Sequence, residues 1–395
     1  MPEYTGDPYR MIEMPERLIG ERLREQLSVT PPYDEKIPEL SVAKRLDLIG
    51  DVRRLYVPCS LAEEVYHKAY SAVRMSLKER SRNYASLVRN YSHPEIHGTG
   101  AGISFAVTGT AGIGKTAAVG RALDCVFGKR IIRVPGLDFI PCVYVTAASG
   151  MSSKALFTDI IRQISASAGA EYEKRQKRCS VDTLLSRALV LLKCVGILVV
   201  DEVQQLAEFQ TGRKLVTELT KLINDAGCAI CFVGTEEARD FLCSTPYLAR
   251  RTEGPSLLSY SKEEYEQFCR ELLRYRYVKR PFMNTELLEG WLYNNTGGNP
   301  GLTVDLFCLA QETALHTGSE ELTIEGLIRA KKQALRGSQM HMNDLFFESN
   351  RCMEEELQRQ AKKQRLLHAM HDAKRHGQDI AEAMKRVVPV MEARV

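Results

Sequence analysis

The segment Gly109-Thr110-Ala111-Gly112-Ile113-Gly114-Lys115-Thr116 satisfies the pattern G-x-x-x-x-G-K-[ST] at every fixed position. Glycines let the backbone curl tightly, so that several N–H groups point inward at phosphate oxygens. Lys115 supplies a mobile positive charge for the β- and γ-phosphates, and the Thr116 hydroxyl is placed to hold a magnesium ion. The flanks agree with the motif. Ile103 to Val107 reads as a short buried strand running into the loop. Ala117 to Phe127 reads as a helix with Ala118, Ala122, Leu123 and Val126 on one side. Strand, loop and helix in that order distinguish a phosphate cradle from a glycine-rich turn that merely matches. Residues Gly109 to Ala117 are the candidate ATP-binding residues.

A second stretch supplies the chemistry that such a loop needs. Gly196-Ile197-Leu198-Val199-Val200-Asp201-Glu202 begins as an apolar run, the signature of a strand buried on both faces of a parallel sheet. Two carboxylates follow at its carboxyl end, where open α/β sheets bind ligands. Asp201 is placed to hold magnesium together with Thr116, and Glu202 to orient and polarise an attacking water. Ala229 to Val233 is the next strand. Thr235 just beyond it is within reach of a γ-phosphate or water, unless it simply caps the helix that follows. Tyr247 to Thr252 reads as a loop carrying Arg250 and Arg251. Arginine's planar fork suits phosphate, so either one facing a neighbouring subunit would complete that neighbour's site in trans. The other reading is a surface pair in ion bridges.

At 395 residues the chain has room for two or three domains, and 44% hydrophobic with 26% charged residues is ordinary for a soluble globular protein. A net charge of +4 permits a polyanionic partner without requiring one. The eleven cysteines follow a polar, acidic N-terminus and are expected as reduced thiols in a cytoplasmic protein. Cys228 and Cys231 sit in a strand-like run with no second Cys/His pair at zinc spacing. The apolar stretch around 188–200 contains Lys193 and is too short to span a bilayer.

Four regions are expected. Residues 1–57 form an arm or docking segment, with helical stretches at 15–27 and 42–55 separated by Pro31-Pro32. Residues 58–260 form the α/β nucleotide-binding domain. Its first helix opens at Ser60-Leu61-Ala62-Glu63, a capping-box pattern, with Leu61, Val65, Ala69, Ala72 and Met75 inward. A loop at 93–102, a strand at 141–146, helices at 153–168, 181–193 and 213–226, and a last strand at 256–260 complete it. Residues 261–336 form a small all-α lid, opened by Ser261-Lys262-Glu263-Glu264 and containing the Gly298-Asn299-Pro300 turn. Residues 337–395 form a charged, helix-prone tail with little apolar surface to bury.

Phosphate loop, acidic strand end, polar residue after the next strand, arginine pair and helical lid together resemble an AAA+ ATPase. Asp201-Glu202-Val203-Gln204, Phe232-Val233-Gly234-Thr235-Glu236-Glu237-Ala238 and Leu248-Ala249-Arg250-Arg251 further resemble the TnsC/TniB transposition regulators, cousins of MuB and IstB. The resemblance covers about residues 60 to 335. It implies an AAA+ P-loop core with ATP and Mg2+ as cofactors. Gly109 to Thr116 would bind ATP, with Asp201 and Glu202 as metal and water residues. Thr235 would be a first sensor, and Arg250 and Arg251 finger candidates. It also implies assembly into a ring or helical filament on duplex DNA in the ATP state, partnership with a transposase and target-selection proteins, and a bacterial, nucleoid-associated location. One departure stands out: many relatives carry an arginine after the lid's Asn-Pro turn, and here that position is Gly301.

Such a protein would grip phosphates rather than read bases, because the chain shows no helix-turn-helix or zinc module. The candidate DNA contacts are Lys154 and the cluster Arg175, Lys177 and Arg178, the latter in a connector at 171–178 with four basic and two acidic residues. Solvated surface is the other reading of that connector. Two other functions share the same core: a replication initiator or loader, which would commonly add a winged-helix module after the lid, and a signalling nucleotide switch, which would normally carry repeats.

Overall fold

The computed structural model describes residues 6–89, 104–128, 131–169, 179–207, 213–280, 282, 284–337 and 351. In chain order the elements are α1 (Gly20–Leu27), α2 (Val42–Ile49), α3 (Ser60–Arg89), β1 (Ser104–Gly109), α4 (Lys115–Phe127), β2 (Ile132–Val134) and β3 (Leu137–Thr146). Then come α5 (Ser153–Ser167), α6 (Val181–Leu191), β4 (Val195–Asp201), α7 (Gln204–Ala207), α8 (Arg213–Asp225), β5 (Ala229–Gly234), α9 (Glu236–Leu242), α10 (Pro246–Arg251) and β6 (Ser256–Leu257). Four helices follow: α11 (Lys262–Leu272), α12 (Thr285–Thr296), α13 (Pro300–Thr317) and α14 (Ile324–Gly337). The chain divides into two compact units, one formed by Met1–Pro32 with Arg54–Leu257, the other by Tyr33–Arg53 with Leu258–Val395. The expected loop at 93–102, the connector at 171–178 and nearly all of the tail lie outside the described residues.

The first unit is built on a six-stranded sheet in the order β2-β3-β4-β5-β1-β6. β2 runs antiparallel to β3 across a Pro135-Gly136 turn, and the other pairs are parallel. β1, β4 and β5 are buried along their whole length, which is why they read as nearly unbroken apolar runs. Val143, Leu198, Ile230 and Phe232 pack beneath Phe157 and Ile160 of α5, Leu184 of α6 and Leu222 of α8. Alternation along the strands turns Tyr144, Val199 and Asp201 to the opposite face. α3 and α4 pack on each other and on β1 and β5. The registers Thr146↔Asp201 and Thr108↔Gly234 bring the carboxyl ends of four strands to one edge.

α3 closes the opposite end. The Arg80 guanidinium donates to the carbonyls of Gly227 (2.6 Å), Lys193 (2.9 Å) and Val195 (2.6 Å), and the Ser76 hydroxyl joins it at Gly227 O (2.8 Å). These carbonyls lie at or just before the starts of β4 and β5, and the guanidinium satisfies them there. The inward stripe Leu61, Val65, Ala69, Ala72 is buried, but Met75 is 41% exposed. Helical spacing carries the stripe to Ser76, whose hydroxyl is satisfied by the carbonyl beneath it.

The early residues of this unit are pinned to α4. Arg121 donates to the carbonyls of Gln26 (2.8 Å) and Leu27 (3.0 Å). Val29 and Tyr56 exchange two backbone bonds of 2.9 Å. Two segments differ from expectation. Residues 247–252, expected as a loop, lie largely in α10, which Thr245 caps and Pro246 opens. The strand expected over 256–260 ends at Leu257.

The second unit is helical. At α11 the Ser261 hydroxyl accepts from Glu264 N (3.2 Å) and the Glu264 carboxylate from Ser261 N (3.0 Å), the reciprocal cap that the sequence indicates. Asn299 Oδ1 accepts from Leu302 N (3.1 Å) to cap α13, with Pro300 at its first position and Gly301 next. Arg45 of α2 meets Glu320 in a bidentate pair. Among the described residues no helix is long and apolar enough to cross a membrane.

Candidate nucleotide-binding site

Three glycines give the loop after β1 its shape. Gly112 and Gly114 take positive φ (80° and 96°), and Gly109 approaches β6 so closely that a Cβ there would stand 2.1 Å from Leu257 O. The loop curls back and α4 starts at Lys115, so the first turn of the helix, with Lys115, Thr116 and Ala117, opens directly from the loop, the end of a helix that suits an anion. Thr110, Ala111 and Ile113 complete the curl, with Ile113 N donating to Thr110 O. Lys115 is 9% exposed, and its Nζ donates to Gly109 O (2.8 Å) and Thr110 O (2.9 Å).

The acidic end of β4 meets this loop. Thr116 Oγ1 donates to Asp201 Oδ2 (2.8 Å), and the same oxygen accepts a hydrogen bond from the Tyr144 hydroxyl. Asp201 Oδ1 accepts from the backbone N–H of Glu202 (2.8 Å). Burial, and then the bond to Asp201, push the Tyr144 phenol well above its ordinary range. The donors offered by Thr116 and Asp201 are all oxygen, which fits a hard cation such as Mg2+ that keeps much of its water. Among the described residues no cluster of three or more His, Cys, Asp or Glu side chains is placed for a metal.

Glu202 follows with a φ of +56°, in the left-handed region that favours glycine. Its carboxylate accepts from the Gln204 side-chain amide, and Gln204 Oε1 accepts from Thr235 N (3.3 Å). Gly234 makes room for that carboxamide, because a Cβ there would stand 2.6 Å from Gln204 Oε1 and 2.4 Å from Ala238 Cβ. Thr235 is the residue before α9, but its side chain makes no cap bond; Oγ1 donates to Glu237 (3.3 Å).

The arginine pair divides. Arg251 is 2% exposed, with its guanidinium 3.8 Å above the Tyr247 ring and a bond to Asn224 Oδ1. Arg250, one step round the helix, is exposed and lines a cavity of about 510 Å3 with Arg17, Lys68, Glu64 and Glu253. Lys154 lies in the first turn of α5, the helix that follows the carboxyl end of β3. Arg175, Lys177 and Arg178 are outside the described residues. The loop, Asp201, Glu202 and Thr235 thus share one sheet edge, and sequence reasoning passed over Tyr144 and Gln204, which join them. Tyr144 carried a faint signal, as an aromatic hydroxyl within the apolar run 140–145.

Sheet order and site together define an AAA+ P-loop α/β core followed by helices. Residues 100–242 match the model of the AAA domain family. No protein of curated function matches the sequence. Among solved structures, the chain is similar to the Aeropyrum pernix ORC1 protein in complex with DNA, at 16% identity and a TM-score of 0.43, over 66% of this chain and 64% of that one. It is also similar to the Aeropyrum pernix ORC2 protein in ADPNP-ADP complexes, at 15% identity and 0.45, over 81% and 78%. Domain III of the Thermotoga maritima replication initiation protein DnaA matches at 16% and 0.39, over 76% and 98%.

Proposed function

We propose that this chain is an ATP-hydrolysing assembly switch: a transposition regulator that forms a ring or helical filament on duplex DNA in the ATP state and releases it on hydrolysis. The observation that carries the hydrolytic part is the meeting of Thr116, at the start of α4, with Asp201 at 2.8 Å, with Glu202 next in the chain. In this reading the loop from Gly109 to Ala117 binds the phosphates and Lys115 moves from its loop carbonyls to the β- and γ-oxygens. Thr116 and Asp201 would hold Mg2+, which when bound neutralises charge on the phosphates. Glu202 orients and polarises the attacking water, and Thr235 senses the end of the nucleotide. Arg250, exposed on α10, is the better of the two finger candidates, since Arg251 is buried against Tyr247.

The DNA and transposition parts rest on the resemblance of the short strings around Asp201, Thr235 and Arg250 to TnsC/TniB regulators. Partners of this kind are a transposase and target-selection proteins. Lys154, Arg175, Lys177 and Arg178 are the proposed backbone contacts, and binding through phosphates would weaken steeply with salt. Electron microscopy with duplex DNA, comparing ADP with a non-hydrolysable ATP analogue, tests the reading. Ordered assemblies only in the ATP state support it, and Glu202→Gln should bind ATP yet stay assembled. A particle that remains monomeric in every nucleotide state, DNA included, would overturn it.

A further inference from the structure

We infer that Tyr144 is a positioning residue for the metal-binding carboxylate, holding Asp201 in the orientation from which it and Thr116 take Mg2+; this rests on the nucleotide-site reading above. The sheet register makes the contact possible. Tyr144 stands opposite Val199 and Asp201 opposite Thr146, so Tyr144 is the diagonal neighbour of Asp201 on the same face of adjacent parallel strands. A side chain as long as tyrosine spans that diagonal.

The consequence lies in how the Asp201 carboxylate is used. Its two oxygens offer about four lone-pair positions. Oδ1 takes the Glu202 N–H, while Oδ2 takes the Thr116 and Tyr144 hydroxyls. Thr116 belongs to the loop that must adjust when nucleotide enters, and Glu202 N–H is local to the turn. Tyr144 is the donor that comes from inside a second strand, so it is the one that stays fixed while the loop moves. Its bond sets the plane of the carboxylate and leaves a defined direction for a cation or its water. Outer-shell hydrogen bonds of this kind are worth ~10- to 100-fold in metal affinity.

The test is Tyr144→Phe in the full-length protein, which keeps the ring and removes only the hydroxyl, with Asp201→Asn beside it. Fluorescent ADP is titrated in EDTA and across a range of Mg2+ concentrations. The expected result is an unchanged ADP affinity in EDTA, and a Mg2+ concentration for half-maximal tightening raised ~10-fold. An unaltered Mg2+ dependence in Tyr144→Phe, with Asp201→Asn abolishing it, overturns the inference and leaves the nucleotide site standing. Equal loss of affinity with and without Mg2+ also overturns it, since the hydroxyl would then serve the fold or the nucleotide directly. If wild type binds ADP neither with nor without Mg2+, the nucleotide-site reading itself fails; ADP binding by wild type and Asp201→Asn alike without regard to Mg2+ overturns the inference alone.

Discussion

Gln204 Oε1 accepts the backbone N–H of Thr235 at 3.3 Å, so the first residue of α7 is fastened to the end of β5. The other end of the same carboxamide donates to the Glu202 carboxylate. The carboxylate proposed to orient the water is therefore held by a group anchored just past a neighbouring strand. Gln204→Ala is expected to lower kcat for ATP hydrolysis by ~10-fold with little change in KM, because only the orientation of the base is loosened. Steady-state phosphate release checks this. An equal rise in KM would show that Gln204 acts on nucleotide binding instead.

The two arginines of α10 are expected to fail differently. Arg250→Ala should leave the fold and ATP binding intact and slow hydrolysis in the assembled state by ~10³-fold. Arg251→Ala removes a buried group stacked on Tyr247 and should instead lower the melting temperature. Mixing Arg250→Ala with Glu202→Gln subunits should restore turnover, since the Glu202→Gln subunit supplies Arg250 to the site of an Arg250→Ala neighbour whose own Glu202 is intact. Mixtures no faster than the separate variants would rule out action in trans.

Arg45 and Glu320 bind each other through two N–O contacts of 2.6 Å, with the arginine side chain 2% exposed. The Arg45 bond holds the Glu320 carboxyl below its ordinary value of 4.5. A depressed carboxyl stabilises the folded state above that value, and the contribution is lost as pH falls through the folded-state value. Thermal unfolding followed by circular dichroism should therefore show stability falling below about pH 4.5. Glu320→Gln should flatten this part of the profile and cost on the order of 3 kcal/mol at neutral pH, because the buried guanidinium is left uncompensated.

Much of the sheet could be read directly from residues. β1, β4 and β5 are buried on both faces, so nothing interrupts Phe105-Ala106-Val107, Ile197 to Val200 or Ala229 to Val233. The caps at Ser261 and Asn299 were equally plain, because each is a local bond within three residues. The short elements were not. β2 has three residues, and only the Pro135-Gly136 turn marked the hairpin. Ser76, not Met75, faces inward because an acceptor carbonyl made a hydroxyl the better fit. At the site, residue type located the loop and the two carboxylates, but the supporting bonds join distant parts of the chain. Tyr144 and Asp201 are 57 residues apart, and Gln204 and Thr235 are 31 apart. Arg250 and Arg251 were indistinguishable as letters; a turn of about 100° between helical neighbours puts one outside and one within.

The positive φ of Glu202 has a meaning for how this chain has been shaped. A side chain in that region costs about 1 kcal/mol that glycine would escape. In the reading proposed above, a charged residue in that backbone would set a carboxylate at the strand end at some expense of endurance.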